Sequence, residues 1–256
     1  MVYKKKTPYK RKFVKKTYAK SKVSTTVKKY VKTAIKGSAE KKRYIYYNLN
    51  QSITTASLTT PTNLSITPTL SQGLRSFERI GDNVKVTKCV ITGRVNFLPY
   101  SATTNPRSPV IVKMWVVKQK NTKNNSTFPS SITSDFFEIN NSVTGLQGNL
   151  LDLMLPVNPR VWEVLATKQV TLGHSSIVNN AGAVDINYST DAHFSYPFYF
   201  NLSKHIGTLK FQEAVTTATN NQMWIFFQGL YADGANTGLM VPAEYHSCII
   251  TDFTDV

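Results

Sequence analysis

Charge is divided so unevenly along these 256 residues that the chain cannot fold as one uniform globule. Residues 1–43 hold 17 of the 31 Lys/Arg and one of the 14 Asp/Glu, a net of +16. The other 213 residues hold 14 basic and 13 acidic side chains, a net of +1. Like charge at the density of the first segment opposes collapse, whereas a near-neutral remainder does not. The sequence therefore predicts a basic arm, residues 1–43, and a folding domain, residues 44–256. Such an arm seeks a polyanion.

The arm reads as two pieces. From 1 to 22, Lys4, Lys5, Lys6, Lys10, Arg11, Lys12, Lys15, Lys16, Lys20 and Lys22 alternate with Tyr3, Tyr9, Phe13 and Tyr18. Pro8 and the crowded charge oppose a helix, so this piece is expected to order only on an anion. Its cations suit phosphates, and its aromatic rings suit stacking on unpaired bases. From about 25 to 36 the pattern changes. Val27, Tyr30, Val31, Ala34 and Ile35 recur on one helical face, and Lys28, Lys29, Lys32 and Lys36 fall on the other. Ser24 or Thr25 is placed to cap the start, and Gly37 to end it. A helix of three turns is marginal alone in water. Its apolar stripe is therefore expected to pair with a copy of itself, with the body or with a membrane surface, the last disfavoured by the lack of Trp, Leu and Phe. Lys41, Lys42 and Arg43 close the basic run and are grouped with the phosphate-binding residues. Lys4-Lys5-Lys6 and Lys10-Arg11-Lys12 also have the composition of nuclear import signals.

The body is rich in Thr, Ser, Asn, Val, Ile, Phe and Tyr, residues of strands and turns. Strand patterns run over 44–55, 84–97, 109–118, 161–172, 191–202, 208–212, 223–232 and 245–253. In 84–97 the buried parity changes between Val86 and Ile91, which predicts a bulge near Lys88-Cys89. In 191–202, Phe194, Tyr196, Phe198, Phe200 and Leu202 share one face. A Thr/Pro/Ser-rich loop is expected through Pro61 and Pro68. A long exposed loop is expected from 119 to 156, with a helical turn near Leu150–Met154. Eight strands without a βαβ rhythm imply an all-β fold, an eight-stranded jelly-roll β-sandwich behind a basic arm with a short amphipathic helix.

Chemistry-bearing motifs are missing from the sequence. It has no Gly-rich phosphate loop and no Gly-x-Ser-x-Gly elbow. His174, His193, His205 and His246 are scattered, and Cys89 and Cys248 lie in strand patterns, so no metal-ligand spacing exists and reduced core thiols are expected. Asp135 with Glu138, and Asp252 with Asp255, are the nearest approach to paired carboxylates. Trp115, Trp162 and Trp224 fall in strands and are read as core. No apolar run has the roughly 20 residues of a membrane span, and no signal peptide is visible. The expectation is a non-enzyme without metal or cofactor.

In order along the chain, the sequence resembles the capsid proteins of circular, Rep-encoding single-stranded DNA viruses, the circovirus-like group with a single jelly roll. The resemblance is carried by the Lys/Arg-Tyr-rich start, the Val27–Ile35 helix, Gln72-Gly73, Arg79-Ile80-Gly81-Asp82 before a long strand, and the closing strands 223–232 and 245–251. Coat proteins of satellite RNA viruses share the layout. The resemblance implies a virion shell of about 60 identical copies, T=1-like, with the arms inside on a single-stranded genome, DNA ahead of RNA. It also implies assembly in the host nucleus with help from import factors. A non-viral nucleic-acid-binding module with a basic tail is the alternative of a different class.

Overall fold

The computed structural model describes residues 24–38, 40–55, 62–98, 109–120, 134–140, 142–173, 176–178, 184–186, 194–234 and 240–255. The chain divides into two units, Met1–Ala39 and Glu40–Val256. The division lies four residues before the boundary expected from charge, because Lys41, Lys42 and Arg43 already belong to the first strand.

In the first unit, helix α1 spans Thr25–Ser38. Ser24 caps it: its Oγ accepts from the Val27 N–H at 3.2 Å, and its carbonyl accepts the first helical bond from Lys28. The helix continues through Gly37, a residue or two past the expected end. Val27, Tyr30 and Val31 stand exposed at 50%, 76% and 47%.

The second unit is built from antiparallel sheets. Its strands are β1 (Lys41–Ile53), β2 (Thr62–Ser65), β3 (Asn83–Phe97), β4 (Val110–Gln119), β5 (Phe137–Ile139), β6 (Ser142–Thr144), β7 (Trp162–Leu172), β8 (Ser176–Val178), β9 (Val184–Ile186), β10 (Ser195–Asn201), β11 (Thr208–Lys210), β12 (Met223–Tyr231) and β13 (Ala243–Asp255). A 3-10 turn, Leu150–Leu153, and a short helix α2, Ser203–Ile206, complete the described elements. One sheet runs β1-β13-β3-β10, with β11 also on β3, and the other runs β2-β12-β4-β7. Counting β1, β2, β3, β4, β7, β10, β12 and β13 as first to eighth, the orders are first-eighth-third-sixth and second-seventh-fourth-fifth. That interleaving is the double Greek key of a jelly roll.

Two details differ from the sequence reading. Strand β2 falls inside the expected Thr/Pro/Ser-rich loop and completes the second sheet. Strand β11, counted as one of eight, is an extension beside β3. The β3 bulge exists at Thr87: Val86 pairs with Phe253 and Lys88 with Asp252, leaving Thr87 without an opposite residue. The insertion moves burial from Val84 and Val86 to Cys89, Ile91 and Val95.

Two cores result. The larger fills the space between the sheets, with Ile91, Val95, Val112, Phe198, Ile225, Phe227 and Tyr245 among its members. Phe227 and Tyr245 stack across the sheets at 4.1 Å between ring centres. The second is aromatic and lies outside the sandwich. Trp115, Trp162, Trp224 and Phe226 from β4, β7 and β12 pack there against Phe136, Phe137 and Leu146. Their rings meet edge to face, as Phe136 does with Trp115, Trp162 and Phe226. Phe136, Phe137, Leu146 and Leu155, within the segment expected to be an exposed loop, thus cover this core. That cover explains why β12 is buried on both faces along its whole length.

Candidate nucleic-acid interface

Most of the arm's predicted contacts, from Tyr3 and Lys4 to Lys22, lie outside the described residues. Those within α1 are placed as expected on the backbone. Lys28 and Lys29 are exposed, and Lys32 and Lys36 continue the same helical spacing, as Ala34 and Ile35 continue that of Val27 and Val31.

The end of the basic run departs from expectation. Lys42 points inward from β1 and is 2% exposed. Its Nζ lies 3.0 Å from Asp255 and 3.8 Å from Glu40, and it donates to the Glu78 carbonyl at 2.9 Å. Arg43 donates from Nε and Nη2 to the two carboxylate oxygens of Asp252, at 2.6 and 3.2 Å. These contacts hold the Asp252 carboxyl below its ordinary range. Lys42 is therefore a body residue whose charge is matched inside the fold and out of reach of a phosphate, whereas Arg43 is paired with Asp252 on an exposed face. The same contacts occupy the Asp252/Asp255 pair. Alternation along β1 was the sequence signal, masked by the run of like charge.

Two buried charges were not singled out as anchors in the sequence. Arg79 is fully buried: Nη1 donates to the Gly81 carbonyl and to Asp82, and Nη2 to the carbonyls of Gln212 and Val215, all within 3.0 Å. Its guanidinium also lies over the Phe211 ring. It ties the turn before β3 to the segment after β11, which gives Arg79-Ile80-Gly81-Asp82 a structural meaning. Asp152, also fully buried, accepts on Oδ2 from the N–H groups of Gln147 and Gly148, each at 2.8 Å, and from Gln228 Nε2. Burial pushes its carboxyl upward. Nearby, Lys113 donates to the Leu153 carbonyl at 2.6 Å and is pushed down by burial. A carboxylate and an amine both displaced toward neutrality are what an acid–base site would contain. Here each holds a turn of the 145–154 segment against β4 and β12. A lone acid in the apolar run Leu150-Leu151-Asp152-Leu153-Met154 was the available signal.

The remaining candidates for chemistry do not converge. Among the described residues, no group of three or more His, Cys, Asp or Glu is placed to hold a metal ion. His174 and His193 lie outside the described residues, His205 sits on α2, and His246 meets Glu244 at 3.1 Å. Cys89 and Cys248 are both free thiols, and burial pushes Cys89 up to about 11, away from reactivity. The Asp135 carboxyl is pushed up by burial. Glu138 instead lines a polar hollow of about 480 Å³ with Asn140, Ser142 and Arg160. No described helix is long and apolar enough to cross a membrane.

No family model matches this chain, and no curated protein matches it. Among solved structures, a chain of desmodium yellow mottle tymovirus aligns at a TM-score of 0.34 and 10% identity, over 85% of this chain and 88% of that one. The VP1 pentamer of human polyomavirus 6 aligns at a TM-score of 0.28 and 9% identity, over 83% of this chain and 94% of that one.

Proposed function

We propose that this chain is a non-enzymatic shell subunit: the jelly-roll body assembles with copies of itself, and the N-terminal arm condenses single-stranded nucleic acid. The observation that carries the reading is the charge division at the unit boundary. Residues 1–39 hold 14 basic and no acidic residues, while residues 40–256 hold 17 basic and 14 acidic ones. A body so nearly balanced lets copies approach without long-range repulsion, and the arms concentrate the cationic charge. In a T=1-like shell of about 60 copies the arms would bring on the order of 800 positive charges, enough to offset a large part of a small genome. Lysine point charges bind phosphate without reading bases, so packaging is sequence-independent and steeply salt-dependent. Single-stranded DNA is the proposed cargo and the virion the proposed location, with the nucleus as the site of assembly.

The test is to express the full chain and a form lacking residues 1–22, and to measure particle mass by light scattering together with DNase and RNase sensitivity of the contents. The reading expects megadalton particles from both and nuclease-protected DNA only in the first. RNA contents would reassign the genome. A 28.7 kDa species that binds nucleic acid would favour the non-viral module, and a truncated form that packages normally would remove the arm from the mechanism.

A further inference from the structure

The five outer strands of the two sheets are not alike. Strand β10 carries Pro197, β7 carries Glu163 and Lys168 and has a register shift against β4, and β2 and β11 are four and three residues long. Each is a recognised way to blunt an edge against pairing with another chain. Strand β1 has 13 residues, and its stretch Tyr44-Ile45-Tyr46-Tyr47-Asn48-Leu49 contains no charge, proline or glycine. Ile45, Tyr47 and Leu49 are 55%, 67% and 60% exposed. An uncharged, β-prone edge of six residues that no described strand covers is a template for strand addition.

The edge is also bounded. At one end the Arg43 N–H donates to the Ser76 carbonyl at 3.3 Å, so a loop fills the edge there. At the other, the β1–β13 register shifts between Asn48 and Gln51, with Asn50 at φ 51°. The Arg43 bond fixes the parity. In an antiparallel ladder alternate residues direct both backbone groups to the same side, so Ile45 and Tyr47 aim theirs at the open edge; Leu49 lies in the shifted stretch, and its carbonyl accepts from Gln51 Nε2 at 2.9 Å.

We infer that β1 pairs antiparallel with β1 of a second copy about a two-fold axis at Tyr47. The parity admits Tyr47 opposite Tyr47, the pair exchanging both N–H···O bonds, and brings Ile45 opposite Leu49 on either side of the axis. The paired length ends where the Ser76 loop and the Asn50 bulge end it. A two-fold interface is self-complementary, and this register places like apolar residues on one continuous outer face. Leu74 and Phe77, on either side of the Ser76 position that meets the edge, are 88% and 43% exposed. The inference rests on the shell reading for its purpose, but its geometry does not.

Two variants of the full chain test it. In Tyr47→Pro the lost N–H is one aimed at the open edge, so β1–β13 pairing survives. Tyr47→Cys is made with Cys248→Ser, because Cys248 lies opposite Tyr47 on β13. Paired Tyr47 positions would stand about 5.5 Å apart, within disulfide reach. The expected results are at least a tenfold loss of assembled species for Tyr47→Pro with an unchanged melting temperature, and a disulfide-linked dimer for Tyr47→Cys on oxidation. Should Tyr47→Pro not fold, the cysteine cross-link decides. Particles from Tyr47→Pro at wild-type yield, with no cross-link, would overturn the pairing and leave the shell reading standing. A wild type that stops at twice 28.7 kDa and cross-links would uphold the pairing and overturn the shell. A wild-type monomer without cross-linking, its edge covered from within the chain, would overturn the pairing.

Discussion

Lys28 and Lys42 belong to the same basic run of the sequence and lie in different units of the molecule. Lys28 is exposed on α1, in a unit of 14 cations and no anions. Lys42 is buried, with Asp255 and Glu40 within 4 Å of its Nζ and the Glu78 carbonyl accepting from it. The described cations that the body buries, Lys42 and Arg79, are both anchors held by carboxylates and carbonyls. Identical residue types thus stand exposed to solvent in one unit and act as internal fasteners in the other. Local sequence does not separate the two roles, because burial and partners are set by the sheet.

The largest effect that separates the units lies in the arm. Replacing the ten Lys/Arg between residues 4 and 22 by Gln is expected to weaken binding of a single-stranded oligonucleotide about a thousandfold or more near 0.15 M salt, and to flatten the dependence of log Kd on log salt. Fluorescence anisotropy over a salt series measures both, and an unchanged slope would break the comparison. The body's melting temperature is expected to stay put.

Next comes Arg79→Ala. Removing a buried guanidinium whose two terminal nitrogens are both bonded leaves Asp82 and three carbonyls without their donor, at about 3–5 kcal/mol. Arg79→Lys should recover only part of this, since one ammonium cannot serve acceptors on both sides of a planar fork. Lys42→Met should cost less, about 2–3 kcal/mol, because Asp255 keeps the Ile80 N–H on Oδ1 although its buried Oδ2 loses the cation. Chemical unfolding curves rank the three, and nucleic-acid affinity should be unchanged in each. A loss of affinity in Lys42→Met with stability intact would return that residue to the arm.

The smallest effects concern pH, and they have opposite signs. The Asp252 carboxyl is held low by Arg43, so its contribution is present above the ordinary carboxylate range and is lost as pH falls through the lowered value. The Asp152 carboxyl is raised by burial, so its contribution is present at low pH and is lost as pH rises through the raised value. Asp152→Asn keeps an acceptor for Gln147, Gly148 and Gln228 and should change stability at neutral pH by no more than about 1 kcal/mol. It should also remove the gain that the wild type shows on mild acidification. Arg43→Ala should lessen the loss at lower pH. Unfolding curves between pH 3 and pH 7 test both directions.

Much of the body was legible because its strands state their own periodicity. The shift from Val86 to Cys89 announced the Thr87 bulge, and the Leu150–Met154 turn was readable from its spacing. Strand β2 was not, since Leu64 and Ile66 give too short an alternation between Pro61 and Pro68. The aromatic core was hidden for another reason. Trp115, Trp162 and Trp224 read correctly as buried, but only the return of Phe136 and Phe137 over the sheet shows where. Arg79, Asp152 and Lys42 have partners up to 213 residues away, a distance at which spacing rules say nothing. The expected arm contacts at Tyr3, Tyr9, Phe13 and Tyr18 lie outside the described residues and await the binding experiments.

The place of β13, between β1 and β3, has a consequence in time. The central strand of that sheet is the last to be synthesised, and β1 waits for it across about 190 residues. At roughly 5–20 residues per second, that wait is on the order of 10–40 s. Throughout it residues 1–39 are already made while the sheet that follows them lacks its middle. In the order of synthesis the cationic unit therefore comes before a body able to present a finished surface to a neighbour.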